Sequence, residues 1–174
     1  TTTNDVIDFD GAVTLTGDVL FASGSADLDI DGSITTDGYE MDVNGNVDLN
    51  GTLNATNGTD GNSTINVTGS WDATGGTFTN TNSTVIFDGT AGGQTINSGG
   101  QAFNDLTFNG TGGAWTLAAA VTISNDLLMT DGTLDTSGTD YAVTVTRDWT
   151  SNGGNITANG STITVGRHAV IANT

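Results

Sequence analysis

The chain has 174 residues, with 26 Gly, no Pro, no Cys and 34% apolar residues, a length that suffices for one domain with a sizeable core. Only Arg147 and Arg167 oppose twenty acidic residues, giving a formal net charge of −18. This balance argues against nucleic acid and anionic membranes as partners, because both need clustered Lys and Arg. It favours cations and high salt instead. The absence of Cys excludes a disulfide scaffold and thiol chemistry, and no apolar run reaches the 18 residues of a membrane-spanning helix. A start at Thr1 without Met fits a mature secreted form or an excised fragment.

Taken in chain order, short runs alternate apolar and polar residues. Val13 and Leu15 alternate with Thr14 and Thr16, and Leu28 and Ile30 alternate with Asp27, Asp29 and Asp31. The same period of two recurs at Ile65 and Val67, Leu106 and Phe108, Val143 and Val145, and Ile163 and Val165. Such alternation predicts half-buried strands. Asp-Gly or Asn-Gly punctuates them at Asp10-Gly11, Asp31-Gly32, Asn44-Gly45, Asn50-Gly51, Asp88-Gly89, Asn109-Gly110, Asp131-Gly132 and Asn159-Gly160. Residues of this kind accept positive φ and turn the chain sharply. The stretch from Leu117 to Val121 has helical composition but is too short for a helix, and reads as a strand and a bend.

The main signal is repetition. Residues 69–87 match residues 147–165 at a constant offset of 78: Trp71 with Trp149, Gly75-Gly76 with Gly153-Gly154, and Phe87 with Val165. Inside this long unit, a Gly–polar–apolar triplet recurs at Gly32, Gly51, Gly76, Gly132 and Gly154. The spacing implies a module of roughly 20 residues, in the range of stacked β-coils. The predicted fold is therefore all-β: a single repeat-built domain over 1–174, forming a parallel β-solenoid of roughly eight coils and about 40 Å in length. Leu28, Ile30, Val43, Leu49, Val85, Phe87, Val143 and Val145 are the predicted core. The alternative is an antiparallel β-sandwich, since Asn-Gly is also a hairpin turn. The solenoid is preferred because sandwich strands have different environments and need no repeat.

The pattern G-[ST]-W-x(3)-G-G-T-F-x(4)-S-T-V-x-F-x-G, with Gln94-Thr95-Ile96 and Asp105-Leu106-Thr107-Phe108 after it, resembles bacterial extracellular β-solenoid repeats of the adhesin and autotransporter-passenger type. The resemblance covers roughly residues 28–165. It implies a solenoid in a secreted or cell-surface protein and names no ligand. The chain departs from it at Arg147, where the matching copy has Gly69, and in its acidic first 50 residues.

Candidate chemistry is sparse. Asp27-Leu28-Asp29-Ile30-Asp31-Gly32 opens like a Ca²⁺ loop, but Gly38 stands where the bidentate Glu belongs. Ca²⁺ held between adjacent coils is the preferred metal reading. Asp8 and Asp10 lie 19 residues before Asp27 and Asp29, and Asp48 lies 19 after Asp29, so stacking would align these carboxylates with one another. His168 is the sole His and no G-x-S-x-G elbow accompanies it, so no enzyme is expected. Thr14-Leu15-Thr16, Thr77-Phe78-Thr79, Thr144-Val145-Thr146 and Thr162-Ile163-Thr164 could form a face for carbohydrate or ice, although β-propensity alone also explains them. The Trp residues are expected in the core or at a corner.

The preferred function is a structural protein, either the subunit of a self-assembling filament or a segment of a surface adhesin. The alternative is a carbohydrate- or ice-binding module with a Thr/Asn-rich face. Head-to-tail assembly would pair Asp5, Asp8 and Asp10 at one end with Arg147, Arg167 and His168 towards the other.

Overall fold

The computed structural model describes residues 6–24, 26–56 and 62–172. Among them there is no helix, and the chain winds through eight coils of three strands each. The first coil holds β1 (Ile7–Phe9), β2 (Ala12–Thr14) and β3 (Val19–Phe21). The second holds β4 (Asp27–Ile30), β5 (Ser33–Thr35) and β6 (Glu40–Val43), and the third β7 (Asn46–Leu49), β8 (Thr52–Asn54) and β9 (Thr64–Val67). The fourth holds β10 (Trp71–Asp72), β11 (Thr77–Thr79) and β12 (Thr84–Phe87), and the fifth β13 (Gln94–Asn97), β14 (Ala102–Phe103) and β15 (Asp105–Phe108). The sixth holds β16 (Ala114–Leu117), β17 (Val121–Ile123) and β18 (Leu127–Met129), and the seventh β19 (Thr133–Asp135), β20 (Val143–Val145) and β21 (Trp149–Ser151). The eighth holds β22 (Asn155–Thr157), β23 (Ile163–Val165) and β24 (Ala169–Ile171).

Every strand pairing is parallel and joins equivalent strands of neighbouring coils. The first strands of the coils form one eight-stranded sheet and the third strands another, while the middle strands divide into two four-stranded sheets, β2-β5-β8-β11 and β14-β17-β20-β23. The fold is thus the parallel β-solenoid that the repeats predict. An antiparallel sandwich is excluded, because it would need hairpin pairs between consecutive strands.

Alternation decides what is inside. All eight predicted core residues are buried, and their Asp, Asn and Thr neighbours point outward. The third-strand sheet keeps one register from end to end. One inward row runs Val19, Met41, Ile65, Val85, Leu106, Leu127, Trp149, Ala169, and the next runs Phe21, Val43, Val67, Phe87, Phe108, Met129, Ser151, Ile171. The first-strand sheet drifts instead. Its inward row Leu28, Val47, Trp71, Ile96, Leu117 gives way to Gln94, Trp115, Leu134, Ile156. Aromatic rings cluster in the core of the fourth to sixth coils. Phe87 stacks on Phe108 at 5.4 Å, and Trp71 meets Phe78 and Phe103 edge-on at 5.0 and 5.5 Å. Hydroxyls tie several corners: Thr136 Oγ1 donates to the Ala158 carbonyl (2.8 Å) and Ser151 Oγ to that of Gly154 (2.6 Å).

Two local expectations need correction. Trp71 and Trp149 head matching repeat copies, yet Trp71 lies on β10, a first strand, and Trp149 on β21, a third strand. The copy returns after eleven strands. Eleven is one short of a multiple of three, so it arrives one face short of a whole number of coils. The repeated unit is a strand with its turn, and the coil is three such units. The Asp-Gly and Asn-Gly steps also differ from the positive-φ reading. Positive φ occurs at Gly45 (157°), Gly132 (78°) and Asn159 (48°), but not at Gly32, Gly51, Gly89 or Gly110. There, stacking selects glycine: a Cβ on Gly51 would collide with the Gly32 carbonyl in the coil below, and one on Gly32 with that of Gly11.

Gly51→Ala should therefore destabilise the fold by about 1–3 kcal/mol, as overpacking does. Gly11→Ala, where a Cβ meets nothing within 4 Å, should stay within about 0.5 kcal/mol of the native chain. Urea denaturation of the two variants checks both. Equal effects would contradict the close-approach account.

Candidate functional site

The strands of the first-strand sheet alternate, so their outer positions form columns across coils. Asp8, Asp29, Asp48 and Asp72 occupy one such column, on β1, β4, β7 and β10, with neighbours spaced by about 4.8 Å of inter-strand distance. The register differs from the sequence expectation at one step. Asp8 faces Asp29, 21 residues on, rather than Asp27, while Asp29 faces Asp48 as expected. Asp27 lies in the neighbouring column opposite Asn46, whose Nδ2 donates to it at 3.0 Å. The loop reading of Asp27 to Asp31 does not hold, because residues 27–30 form β4 with Leu28 and Ile30 buried.

Asp72 is the column member that sequence reasoning missed. The connection from β7 to β10 is longer than 19 residues, which hides the match; the Trp71 repeat was the available signal.

Asp8 on β1, and Asp10 and Asp31 just past the ends of β1 and β4, each place a carboxylate oxygen within 4.8 Å of the others. This all-oxygen donor set has the chemistry of a hard divalent cation such as Ca²⁺. Burial, with Asp10, Asp29 and Asp31 adding to it, holds the Asp8 carboxyl above its usual range. Burial likewise raises Asp48, with further contributions from Asp29, Asp72, Asp27 and Asp31.

At several positions amides from the next coil bond the carboxylates. Asn50 Nδ2 donates to Asp29 (3.2 Å), Asn125 Nδ2 to Asp105 (2.6 Å) and Asn159 Nδ2 to Asp135 (2.7 Å), each from the next coil.

A second device operates at the corner that precedes the third strands. Here a carboxylate accepts the backbone N–H of the residue one coil above. Asp18 takes that of Glu40 (2.9 Å), Asp105 that of Asp126 (3.0 Å), Asp126 that of Asp148 (3.0 Å) and Asp148 that of His168 (3.1 Å). The predicted basic residues gather at the upper end of this ladder. Arg147 Nε is 3.9 Å from Asp126, and Arg167 Nε is 3.9 Å from Asp148. His168 Nδ1 is 2.9 Å from Asp148 Oδ1. The Asp148 carboxyl lies below its usual range, chiefly through its side-chain hydrogen bond to His168, with help from that residue's backbone N–H and the Arg167 charge. Arg147 sits one coil deeper than Arg167, since the Arg167 N–H bonds the Arg147 carbonyl. Of the acidic residues expected to meet this cluster across a head-to-tail joint, Asp8 is on β1 and Asp10 just beyond it, and Asp5 lies outside the described residues.

The Thr-x-Thr steps divide two and two between the four-stranded sheets. Thr144 faces Thr164, so the two C-terminal steps are staggered rather than stacked. On the first four-stranded sheet, outward rows read Ala12, Ser33, Thr52, Thr77 and Thr14, Thr35, Asn54, Thr79. Trp71, Trp115 and Trp149 are all buried, which removes them as a sugar-stacking surface. A groove of about 400 Å³ crosses several coils near Asn44, Thr68, Asp88 and Gln94, and burial raises the Asp88 carboxyl. Comparison with protein-family models, with curated proteins and with solved structures finds no match.

The pKa directions fix a pH response. Asp8, Asp48 and Asp88 bind protons more tightly folded than unfolded, so their cost at neutral pH is relieved as pH falls through their folded values towards 3.8. Asp131, held low by the Gly132 N–H and the Thr111 hydroxyl, and Asp148 act oppositely. Their stabilisation is complete above 3.8 and is lost below it. Melting temperature should therefore rise from pH 7 towards mild acid and then fall, and added salt should flatten the rise. A steady decline from pH 7 downward would contradict this.

Proposed function

We propose that this chain is an extracellular structural protein, a rigid solenoid that serves as the subunit of a self-assembling filament or as a segment of a cell-surface adhesin. One observation carries the reading: among the described residues, three strands at each end, β1–β3 and β22–β24, pair on one side only. Their outer edges offer unpaired N–H and C=O groups, a template that invites another strand. The two ends match in number and chain order of strands, and their first and third strands are the edges of two unbroken parallel sheets, so one end fits the other. Such a heterologous contact does not close on itself and propagates as a filament. The acidic, hydroxyl- and amide-rich surface between the ends keeps rods from associating side by side.

A second reading, a carbohydrate- or ice-binding module, draws on the paired Ser, Thr and Asn rows over β2, β5, β8 and β11. It is the weaker one, because Ala12 interrupts the array and it spans only four strands.

Sedimentation velocity and negative-stain microscopy separate the readings. The structural reading expects rods that lengthen with protein concentration and salt. A particle that stays a monomer at every concentration, yet co-sediments with an insoluble polysaccharide or adsorbs to ice, would replace it with the second.

A further inference from the structure

Resting on the filament reading, we propose that one sheet sets the joint between copies: Ala169–Ile171 of one copy pairs in parallel with Val19–Phe21 of the next, covering Val170 with Leu20 and bringing Arg167 and His168 to Asp18. The third-strand sheet is the one that holds its register without drift through all eight strands, and its two edges are β3 and β24. An added strand that obeys the same register places residue 19 over residue 169 and residue 20 over residue 170.

The outward row of this sheet runs from Leu20 through Asp42, Asn66, Ile86, Thr107, Leu128 and Thr150 to Val170. Its inner members have a strand on both sides and are half-buried, whereas Leu20 is 63% exposed and Val170 56%. These two apolar side chains stand at opposite ends of the rod, in the same row of the same sheet. Stacking a second copy gives each its missing neighbour and removes both from water. The ends of the core are open in the same way. At one end, an open hollow of about 460 Å³ is lined by Phe9, Leu15 and Phe21; at the other, one of about 270 Å³ by Trp149, Ile156 and Ile171.

Charge selects the same alignment. The corner column begins at Asp18 and ends at His168, with Arg167 beside it, and carboxylate-to-N–H links join its members at both ends, from Asp18 to Glu40 and from Asp105 through Asp126 and Asp148 to His168. Continuing the ladder into the next copy sets the negative Asp18 over the basic corner, one strand spacing away. The same stack sets Asp8, on β1, over the Asn155–Thr157 edge, which carries no charge. Asp18, rather than Asp8 or Asp10, is thus the electrostatic partner of Arg167 and His168 in the joint.

The chain has no Cys, so a double variant Leu20→Cys, Val170→Cys reads the register directly. Seven strand spacings separate the two positions within one copy, whereas across the joint they face each other at a distance a disulfide spans. Mild oxidation in high salt should give a ladder of covalent multimers on a non-reducing denaturing gel, collapsed by reductant. Asp18→Lys should raise the concentration needed for assembly about tenfold, and adding Arg167→Glu should restore it. If the native chain forms filaments while the double variant stays uncrosslinked, or while Asp8→Cys with Val170→Cys crosslinks as readily, this joint is wrong and the filament reading survives. A native chain that remains monomeric throughout removes the filament reading and the joint with it.

Discussion

Apart from the end strands and the break between β11 and β14, each described strand of this protein is bonded to the equivalent strand of the coil below and of the coil above, and that parallel backbone ladder constrains everything else. Backbone groups in the sheets find partners only if successive coils superpose. A side chain is therefore judged against the residues at the same position one coil away. Large inward residues stack into continuous rows, as Phe87 does on Phe108. Positions where backbones nearly touch take glycine. Gly51 is a glycine because the Gly32 carbonyl lies where its Cβ would be, and not because its φ demands it.

The same superposition creates the protein's electrostatic problem. Stacking like on like would build columns of carboxylates, and Asp8, Asp29, Asp48 and Asp72 form one. Two local devices limit the repulsion elsewhere. One alternates amide with acid, as Asn159 over Asp135 and Asn125 over Asp105. The other turns the carboxylate onto the backbone N–H of the coil above, as Asp126 does for Asp148. Together they account for the abundance of both Asn and Asp in a chain with almost no basic residues. The basic corner at Arg167 and His168 ends the second device, and Asp18 begins it.

The architecture was legible in the sequence because strand alternation and the Gly–polar–apolar triplets report directly on burial and stacking. Leu28, Ile30, Val143 and Val145 could be placed inside from period two alone. What could not be read was the phase between coils. Turn lengths vary, so a fixed 19-residue offset set Asp8 over Asp27 when the register sets it over Asp29. The 78-residue repeat misled for a related reason. Its copies share strand and turn chemistry, and three near-equivalent faces let Trp149 occupy a different face from Trp71. Asp18 escaped notice because a single acid before Val19 has no sequence mark until the Glu40 N–H is found bonded to it.

One unbroken parallel register joins all coils of the third-strand sheet. Nitroxide labels at Asp42 and Thr150, both in the outward row of that sheet, measure it in solution. Five strand spacings separate them, so electron–electron dipolar spectroscopy on dilute, spin-diluted protein should give a single distribution centred near ~24 Å. A broad distribution, or a much shorter distance that fits strands folded back on one another, would contradict the account.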